Sequence, residues 1–452
     1  MPENLSAGVG SYVEKYNSRN TEQIPEWLLG LQESGISTFK AKGFPVGLAR
    51  NEEWKYTNLA SLTNMNPVIT QNATETIADI SQLDLAKSYV SEKRFPTVLF
   101  VNGIYQPKFS DTSLPNPTIK VRTFKEIYES GVTAILEEHL GRYVNASSNE
   151  FVSLNTALLE NGVLIEIEAN VAETAPIHIA HFYTESTELQ TSFPRILILA
   201  PNTGSATILE THEGTADAIY FTNAVTEIFV GKQSNIQHYS VQTHSAAAFH
   251  ISNTGVYLAA DSMFRSVNVD LGGSLVRHNL DVLTAEPGAS CILNGLYIVD
   301  GTQHCDNQVI IDHAAPHTTS RELYKGVLDE ESRSVFHGSI IVREGAVKVN
   351  ADQADKNLLL SDKAEADTKP AFWVYCDDVI CRHGAACGQI DPAAMFYLQA
   401  RGIDASEAKQ ILTRAFLAEI TDSVAAPDIR HYVEGLVSER LSALKSNTKT
   451  AP

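Results

Sequence analysis

The chain has 452 residues, of which 43% are hydrophobic and 19% charged, a composition that supports two or three folded units and excludes wholesale disorder. The formal net charge of −20, with no run rich in Lys or Arg, argues against nucleic acid and anionic membrane surfaces as partners. No apolar run approaches the roughly 18–20 residues of a membrane span, no signal peptide is visible, and the five cysteines show no disulfide framework, so we expect a cytoplasmic protein.

The first part of the chain, residues 1–95, is predicted to be an N-terminal helical region. Apolar residues recur at helical spacing from Val9 to Tyr16, and a second helix is expected to begin at Pro25. Trp54 and Tyr56 belong either to a partner-docking surface or to the packing of this small helical region. We favour packing, because large aromatic side chains contribute most of their stabilisation when they are buried.

A β-rich core is predicted for residues 96–390. Strand-like runs follow one another, often about ten residues apart, with Gly, Asn and Asp between them. A helical insertion is expected at about 123–159, with Thr123 as the residue that caps its start. The predicted strands are Thr97–Val101, Val163–Glu168, Ile177–Phe182, Arg195–Leu199, Ala206–Leu209, Thr226–Val230, Ile236–Val241, Gly255–Leu258, Ser266–Leu271, Ser274–Val282, Gly295–Val299, Gln308–Asp312 and Val335–Val342. A β-sandwich and a parallel β-helix both suit this pattern, because self-similarity at a fixed period is weak.

The segment Tyr375–Ile403 contains three of the five cysteines together with His383, and it marks the predicted change from strands to helices. If the chain is extended from Asp377 to Gly384, Cys381 and His383 share one face of the strand. Arg382 on the other face prefers water, so we expect the face with Cys381 and His383 to turn towards protein. A thiol and an imidazole on one face suit a soft or borderline metal, whereas two small buried side chains are the commoner arrangement.

Two further metal-binding arrangements are disfavoured. Cys376 and Cys387 would complete a set of four ligands with Cys381 and His383, but these intervals match no zinc-finger spacing. The chain has 14 histidines, twelve of them between positions 178 and 383 inclusive. Scattered histidines in a strand region are more often ordinary hydrogen-bonding residues than metal ligands.

The last part, residues 391–452, is predicted to be a C-terminal helical region. Asp391 and Pro392 suit the start of a first helix, and Gly402 suits its end. A second helix is expected to begin at Asp404, which with Glu407 forms a pattern like a capping box. A third helix is expected from Pro427.

Several blocks of sequence resemble one known family in the same order along the chain. The resemblance covers about residues 35–422, and it is closest at the C-terminal end, where CRHGAACGQIDPAAMFYLQARGI spans Cys381–Ile403. The other blocks are RNEEWKYT (Arg50–Thr57), FVSLNTA (Phe151–Ala157), NQVIIDHAAPHTTSRELYKGVL (Asn307–Leu328) and QADKNLLLSDKAEADTKP (Gln353–Pro370). This set is similar to the SufB/SufD family, the scaffold subunits of the SUF iron–sulfur cluster assembly machine. Gly384 and Leu398 resemble the SufD side of the family rather than the SufB side.

The resemblance implies a mainly β fold, in which a right-handed parallel β-helix is flanked by N-terminal and C-terminal helices. It also implies a subunit without catalytic activity that pairs with SufB and binds the SufC ATPase, in support of de novo cluster assembly. The sequence has no nucleotide-binding loop, so ATP hydrolysis is expected in the SufC partner. A homodimer in the absence of SufB, and reduced FAD at the level of the complex, are further implications of the family.

The family's functional positions fall on the segment already singled out. The resemblance implies that His383 is a transient ligand of an iron–sulfur cluster shared with SufB, with Cys381 as a second and weaker candidate. It implies that Ala393–Gly402 and the helix that follows form the surface that faces SufC. The candidate partner-binding residues are Phe396, Tyr397, Arg401 and Gly402.

Two other functions are weighed against this one. A β-helix can host a carbohydrate-active enzyme, but no catalytic pair of carboxylates stands out in the sequence. A SufB-like principal cluster scaffold is the second alternative, and Gly384 and Leu398 disfavour it.

Overall fold

The computed structural model describes residues 7–22, 24–46, 52–69, 95–110, 119–147, 149–160, 162–169 and 175–447. Parts of the predicted terminal regions (1–6, 23, 47–51, 70–94 and 448–452) therefore lie outside the described residues. The helices are α1 (Ala7–Ser18), α2 (Glu26–Lys42), α3 (Ala60–Thr63), α4 (Phe124–Ser130), α5 (Ala134–His139), α6 (Glu150–Ala157), α7 (Pro392–Gln399), α8 (Ala405–Thr421) and α9 (Pro427–Asn447), with one 3₁₀ turn at Glu52–Trp54.

The strands follow one another through most of the chain. They are β1 (Pro67–Ile69), β2 (Thr97–Val101), β3 (Ile104–Tyr105), β4 (Ile119–Thr123), β5 (Gly162–Ile167), β6 (Ile177–Tyr183), β7 (Leu189–Ser192), β8 (Arg195–Ala200), β9 (Ser205–Gly214), β10 (Tyr220–Val230), β11 (Asn235–Thr243), β12 (Phe249–Leu258), β13 (Met263–Asp270), β14 (Leu275–Thr284), β15 (Ser290–Val299), β16 (His304–His313), β17 (Thr319–Leu328), β18 (Arg333–Val342), β19 (Asn350–Leu359), β20 (Glu365–Val374) and β21 (Ile380–Gly388). No helix interrupts them between residues 175 and 391, a stretch that the structure describes completely.

These strands build a parallel β-helix of about seven turns. From β8 onwards consecutive strands alternate between two sheets, and each strand pairs in parallel with the strand two positions along the chain. Sheet A runs from β4 and β5 through the even-numbered strands to β20, and sheet B runs from β2 and β6 through the odd-numbered strands to β21. The β-helix prediction is confirmed and the sandwich alternative is wrong.

The interior of the β-helix has an apolar half and a polar half. Along β9, Ala206 and Ile208 point into the apolar cluster that fills the interior, whereas Glu210 and His212 follow at the same alternate positions and are also buried. Strand alternation places all four side chains on one face. The polar half contains most of the hydrogen-bonding and titratable side chains of the interior. These groups need hydrogen-bonding partners because they are withdrawn from water.

Helices cover the outer face of sheet B. Leu417 on α8 and Val433 on α9 are buried against Leu209, Val269 and other outward-facing residues of sheet B. Covering both faces explains why β9 and β13 are buried along most of their length.

The N-terminal region covers the outer face of sheet A, and Trp54 fixes part of it there. The Trp54 ring is 4% exposed, lies 5.2 Å from the Phe151 ring, and stacks beneath the Arg277 guanidinium at 3.7 Å. Arg277 in turn forms a 2.6 Å ion pair with the buried Asp306. This geometry supports packing rather than docking as the role of Trp54, whereas Tyr56 is exposed.

The helix boundaries agree with the sequence in most places. Thr123 caps α4 with a reciprocal capping box, and the Asp391 side chain accepts a hydrogen bond from the Ala393 backbone, with Pro392 at the first helical position. The Asp404 side chain caps α8 by accepting hydrogen bonds from the backbone N–H groups of Ser406 and Glu407. The predicted role of Gly402 at the end of the first C-terminal helix is confirmed. The regular part of α7 ends at Gln399, and Gly402 then adopts a left-handed φ of 86°. The Gly402 backbone N–H donates to the Gln399 carbonyl and the Ile403 backbone N–H donates to the Leu398 carbonyl, which is the pattern of a C-terminal glycine cap.

Candidate functional site

The candidate site lies on β21, the last strand of the β-helix. β21 pairs with β19 on one side only, which leaves its other edge without a backbone partner among the described strands. The extended segment considered in the sequence, Asp377–Gly384, overlaps this strand from Ile380 to Gly384. The residues just before Ile380 belong to the preceding turn, and the strand continues to Gly388. In the register with β19, Cys381 lies above Ala351 and His383 above Gln353.

Cys381 and His383 do share the interior-facing side of the strand. Ala351 and Gln353 beneath them are buried in the interior, and paired residues of a parallel ladder point to the same side. Arg382 faces outward, 3.8 Å from Asp352. The predicted orientation of the strand is therefore confirmed, although among the described residues no further turn of the β-helix lies above it.

Cys381 packs at the top of the apolar interior. Its side chain is half-buried and contacts the main hydrophobic cluster together with Val379 and Cys376. Partial burial raises the pKa of the Cys381 thiol. The thiol is therefore held in its protonated form, which is the weaker metal ligand.

His383 is exposed but held in place. Its ring stacks on the ring of Phe372 from β20, with centroids 4.4 Å apart and an angle of 27° between the planes. Phe372 itself packs against the interior apolar cluster. The stack fixes the position of the imidazole while leaving it accessible at the open end of the β-helix.

Buried polar residues lie directly below His383. The Gln353 side-chain amide donates a 2.8 Å hydrogen bond to the Glu322 carboxylate one turn further down. Burial raises the pKa of Glu322 to about 8, so this carboxyl group is protonated at neutral pH. No local sequence pattern marks Glu322, Gln353 or Phe372 as site residues, and only the three-dimensional register brings them to the site.

The structure separates the four residues of the disfavoured zinc arrangement. Cys381 and Cys387 lie on the same strand six residues apart, which corresponds to roughly 20 Å. Four ligands of one zinc ion lie within about 2.3 Å of the metal, so these two cannot share an ion. Cys387 is exposed and is paired with Asn357 in the register.

Among the described residues, Cys381 and His383 have no third ligand within the same chain. The sets of three or more His, Cys, Asp or Glu side chains that converge closely enough to hold an ion lie elsewhere, around His212. The part of the chain that the structure describes therefore does not supply a complete ligand set at Cys381 and His383.

The open end is rich in exposed apolar side chains. Trp373 is 56% exposed and Ile380 is 53% exposed, on the two strands that end the sheets. The further exposed apolar residues of this end are Val374, Tyr375, Phe396 and Tyr397. Clusters of this kind on a soluble domain mark interaction surfaces.

The candidate partner-binding residues lie on and just after α7. Phe396 is 72% exposed, and Tyr397 is exposed beneath the Arg401 guanidinium, which lies 3.6 Å from the ring centroid. Arg401 also donates a hydrogen bond to the Tyr397 carbonyl. The helix thus presents an aromatic pair and a fixed cation to solvent, and its last turn leads into Gly402.

Comparison with known proteins places this architecture in a family. Residues 182–416 match the family described as the SUF system FeS cluster assembly, SufBD core domain, and residues 10–179 match the SufBD protein N-terminal region. A SufBD family iron–sulfur cluster assembly protein of Synechocystis is 30% identical over 403 residues, covering 86% of each chain. The chain therefore belongs to the SufBD family of iron–sulfur cluster assembly proteins.

Two relatives within this family are SufD proteins. The iron–sulfur cluster assembly protein SufD of Escherichia coli is 27% identical over 432 residues, covering 95% of each chain. That of Bacillus subtilis is 23% identical and covers 97% of each chain. The resemblance read from the sequence blocks is thus confirmed. Among the described residues, no helix combines the length and apolar character that crossing a membrane requires.

Proposed function

We propose that this chain is a SufD-like scaffold subunit that pairs with a SufB-like protein and binds a SufC-like ATPase, supporting de novo iron–sulfur cluster assembly. The observation that carries the proposal is the open end of the β-helix formed by β20 and β21. Both strands lack a partner on one edge among the described residues, and both carry exposed apolar side chains. An unprotected edge of this kind invites pairing with another chain.

A partner of the same architecture fits this end best. β20 is 10 residues long and β21 is 9 residues long. β20 is the last strand of sheet A and β21 is the last strand of sheet B, so their free edges lie at the same end of the β-helix. A second β-helix that presents two strand edges would continue both sheets and cover Trp373 and Ile380. This arrangement is the reason for proposing a SufB–SufD pair joined through the cores.

In this proposal His383 is a ligand of the nascent cluster, which is cargo of the complex and passes between subunits. The stack on Phe372 orients the imidazole, and the incomplete ligand set calls for a thiolate from the partner. Imidazole and thiolate are both suitable iron ligands. Cys381 is the secondary candidate, because its raised pKa keeps the thiol protonated.

The SufC-binding surface is proposed to be α7 with the turn that leads into α8. Phe396 and Tyr397 supply exposed aromatic area, and Arg401 adds a charged donor beside them. Aromatic residues and Arg are the residue types that dominate binding energy in protein interfaces. Chemistry in the complex would then reside in the ATPase and in the cluster, with this chain acting as the scaffold.

The proposal is tested by placing a charge on the open end. In Ile380→Lys, an exposed apolar residue at the free edge becomes a charged one, so co-purification with the SufB-like protein should fall at least tenfold. Val132→Lys, at an exposed position in the turn before α5, serves as the matched control. Equal recovery of the partner with both variants would rule out this end as the interface.

A further inference from the structure

Three buried histidines meet in the interior of the β-helix, far from β21. His212 lies near the end of β9, His244 follows β11, and His250 lies near the start of β12. Their exposed fractions are 3%, 5% and 1%. Since β9 and β21 are six strands apart in sheet B, the cluster lies roughly 29 Å from His383 along the axis.

The three imidazoles converge on one point. One ring nitrogen from each residue lies within 4.8 Å of the corresponding nitrogens of the other two. The ring centroids of His244 and His250 are 4.6 Å apart, and those of His212 and His250 are 4.8 Å apart. Nitrogens bound tetrahedrally to one zinc ion are about 3.3 Å apart, so small side-chain rotations are enough to close the site.

Each of these residues has one ring nitrogen without a hydrogen-bond partner among the described residues. The nitrogens are Nδ1 of His212, Nε2 of His244 and Nδ1 of His250. Buried polar atoms are normally hydrogen-bonded, because an unsatisfied donor or acceptor retains its desolvation penalty. Three such atoms in one cluster point to a ligand that all of them share.

The remaining contacts orient two of the rings for ligation. His212 Nε2 lies 3.3 Å from a carboxylate oxygen of Glu210, and His244 Nδ1 lies 2.8 Å from the Tyr220 hydroxyl. A metal-bound histidine commonly donates its other N–H to a carboxylate or a similar acceptor, which fixes the tautomer and the ring orientation. Glu210 and Tyr220 are in the positions that this arrangement requires.

We propose that His212, His244 and His250 form an interior binding site for a divalent transition-metal ion such as Zn²⁺ or Fe²⁺. Imidazole suits these ions, and three histidines leave one coordination position for water. This site is distinct from the edge at which the cluster is proposed to assemble. It does not depend on the pairing with SufB or SufC.

The electrostatics of the cluster suit a cation. Burial lowers the pKa of His212 to about 4, and burial likewise holds the pKa values of His244 and His250 well below the usual range. The rings are therefore neutral at physiological pH and offer lone pairs. Burial opposes the ionisation of Glu210, but the hydrogen bonds from His181, His212 and His238 outweigh it and hold its pKa well below the ordinary value. Glu210 thus places a carboxylate oxygen 3.3 Å from His212 Nε2, beside the proposed ligands.

Space for an ion and a water molecule lies next to the cluster. A cavity of about 40 Å³ is lined by Glu210, His212, His238, His250 and His278, among others. One water molecule needs only about 10–15 Å³ measured in this way. The cavity beside His212 and His250 is therefore large enough for one water molecule.

A second set of residues competes for the same histidine. His181, Glu210 and His212 also converge, with His181 Nε2 3.2 Å and His212 Nε2 3.3 Å from the same oxygen of Glu210. His238 Nε2 lies 3.0 Å from the other oxygen. The Glu210 carboxylate therefore already has three imidazoles within 3.3 Å. In the proposed site, by contrast, one nitrogen of each histidine has no hydrogen-bond partner among the described residues. His244 and His250 belong only to the proposed site, so variants of these residues separate the two possibilities.

The test measures metal binding by the full chain, purified without a polyhistidine tag and stripped with a chelator. After incubation with Zn²⁺ and desalting, we expect one zinc ion per chain, and with Co²⁺ a visible spectrum of tetrahedral type. His244→Gln and His250→Gln should each weaken zinc binding by more than about 100-fold. Loss of a residue that only hydrogen-bonds to a metal ligand weakens metal binding by roughly 10–100-fold. Cys381→Ala/His383→Ala should retain the zinc.

The controls keep the result interpretable if a buried substitution perturbs folding. His313→Gln removes another fully buried histidine, one that is hydrogen-bonded to Thr318 and Ser320, and it should retain the metal. His181→Gln should also retain it. Absence of a tight zinc equivalent in the wild-type chain would overturn the proposal. The proposal would also be overturned if the folded His244→Gln and His250→Gln chains retained zinc. Loss of zinc only from His181→Gln, or only from Cys381→Ala/His383→Ala, would overturn it as well.

Discussion

His383 on the last strand of the β-helix is stacked on Phe372 at 4.4 Å, and Phe372 is anchored in the apolar interior. This relationship connects the core of the fold to an exposed imidazole at its open end. It orients the imidazole, the proposed cluster ligand, without burying it, which is the arrangement expected of a group that would share its cargo with another subunit.

The first prediction concerns this ligand. His383→Ala should reduce the maturation of iron–sulfur proteins by at least tenfold in cells that depend on this system, because the proposed imidazole ligand is lost. The complex itself should still form, since the exposed side chain contributes little to stability. The measurement is the activity of a cluster-dependent enzyme alongside recovery of the complex.

The matched control for this variant is Arg382→Ala, one residue away and on the outward face of the same strand. It should leave cluster maturation unchanged. Normal maturation in His383→Ala would show that the imidazole is not a ligand.

The second prediction concerns α7. Phe396→Asp should weaken binding of the SufC-like ATPase by at least tenfold, because a charge replaces an aromatic side chain that is 72% exposed. The melting temperature should change little, since this residue has few contacts within its own chain. Binding is measured by pull-down and by calorimetry with the purified ATPase.

Val46→Asp introduces the same charge at an exposed apolar position outside the C-terminal region. It should leave ATPase binding intact. A Phe396→Asp chain that binds the ATPase normally would remove α7 from the proposed interface.

The third prediction concerns the buried Glu322. Its pKa is raised from 4.5 to about 8 by burial, so the folded chain keeps a proton that the unfolded chain loses above about pH 4.5. The contribution of this group to the free energy of unfolding therefore falls as the pH rises from 4.5 towards 8. Glu322→Gln retains an acceptor for Gln353 and removes the titration.

Denaturant unfolding at pH 5 and pH 8 checks this sign. Between pH 5 and pH 8, the free energy of unfolding should fall less for Glu322→Gln than for the wild type. The difference between the two falls is up to about 4 kcal/mol, at 1.36 kcal/mol per pKa unit. Identical losses in the two chains would show that Glu322 does not titrate in this range.

The fourth prediction concerns Trp54. Because it is buried between Phe151 and the Arg277–Asp306 pair, Trp54→Ala should destabilise the chain by about 3–5 kcal/mol. Tyr56→Ala, at an exposed aromatic residue two positions further along the chain, should cost less than about 1 kcal/mol. Equal melting temperatures for Trp54→Ala and the wild type would contradict the packing role.

The sequence predicted many elements because their local signals agree with their environment. Thr97–Val101 is a short apolar strand and matches β2 at both ends. Asp391-Pro392, Asp404 and Pro427 mark helix starts through capping chemistry that acts within a few residues. Such signals need no knowledge of the tertiary structure.

Two of the strands that the sequence did not predict, β17 and β19, have polar residues at interior positions. Glu322, Gln353 and Asp355 lie there, where a strand normally has apolar side chains. The repeat was also hard to detect because its length varies. Phe249 pairs with Leu275, 26 residues on, whereas Arg333 pairs with Glu365, 32 residues on.

The candidate site was predicted only in part. Alternation along the strand was enough to place Cys381 and His383 on one face. The stack on Phe372, the Gln353–Glu322 pair below and the histidine cluster around His212 depend on contacts between turns, which no local spacing encodes. The scattered histidines looked unremarkable in the sequence for the same reason.

The central claim is that this chain is a scaffold joined to a SufB-like protein through the open end of its β-helix. The most direct test is to co-express the chain with the SufB-like and SufC-like proteins of its host, pull on a tag placed on this chain, and measure the mass of the complex. The account predicts one copy of this chain, one SufB-like subunit and two copies of the ATPase. Recovery of this chain alone, while the SufB-like protein and the ATPase still bind each other, would contradict it.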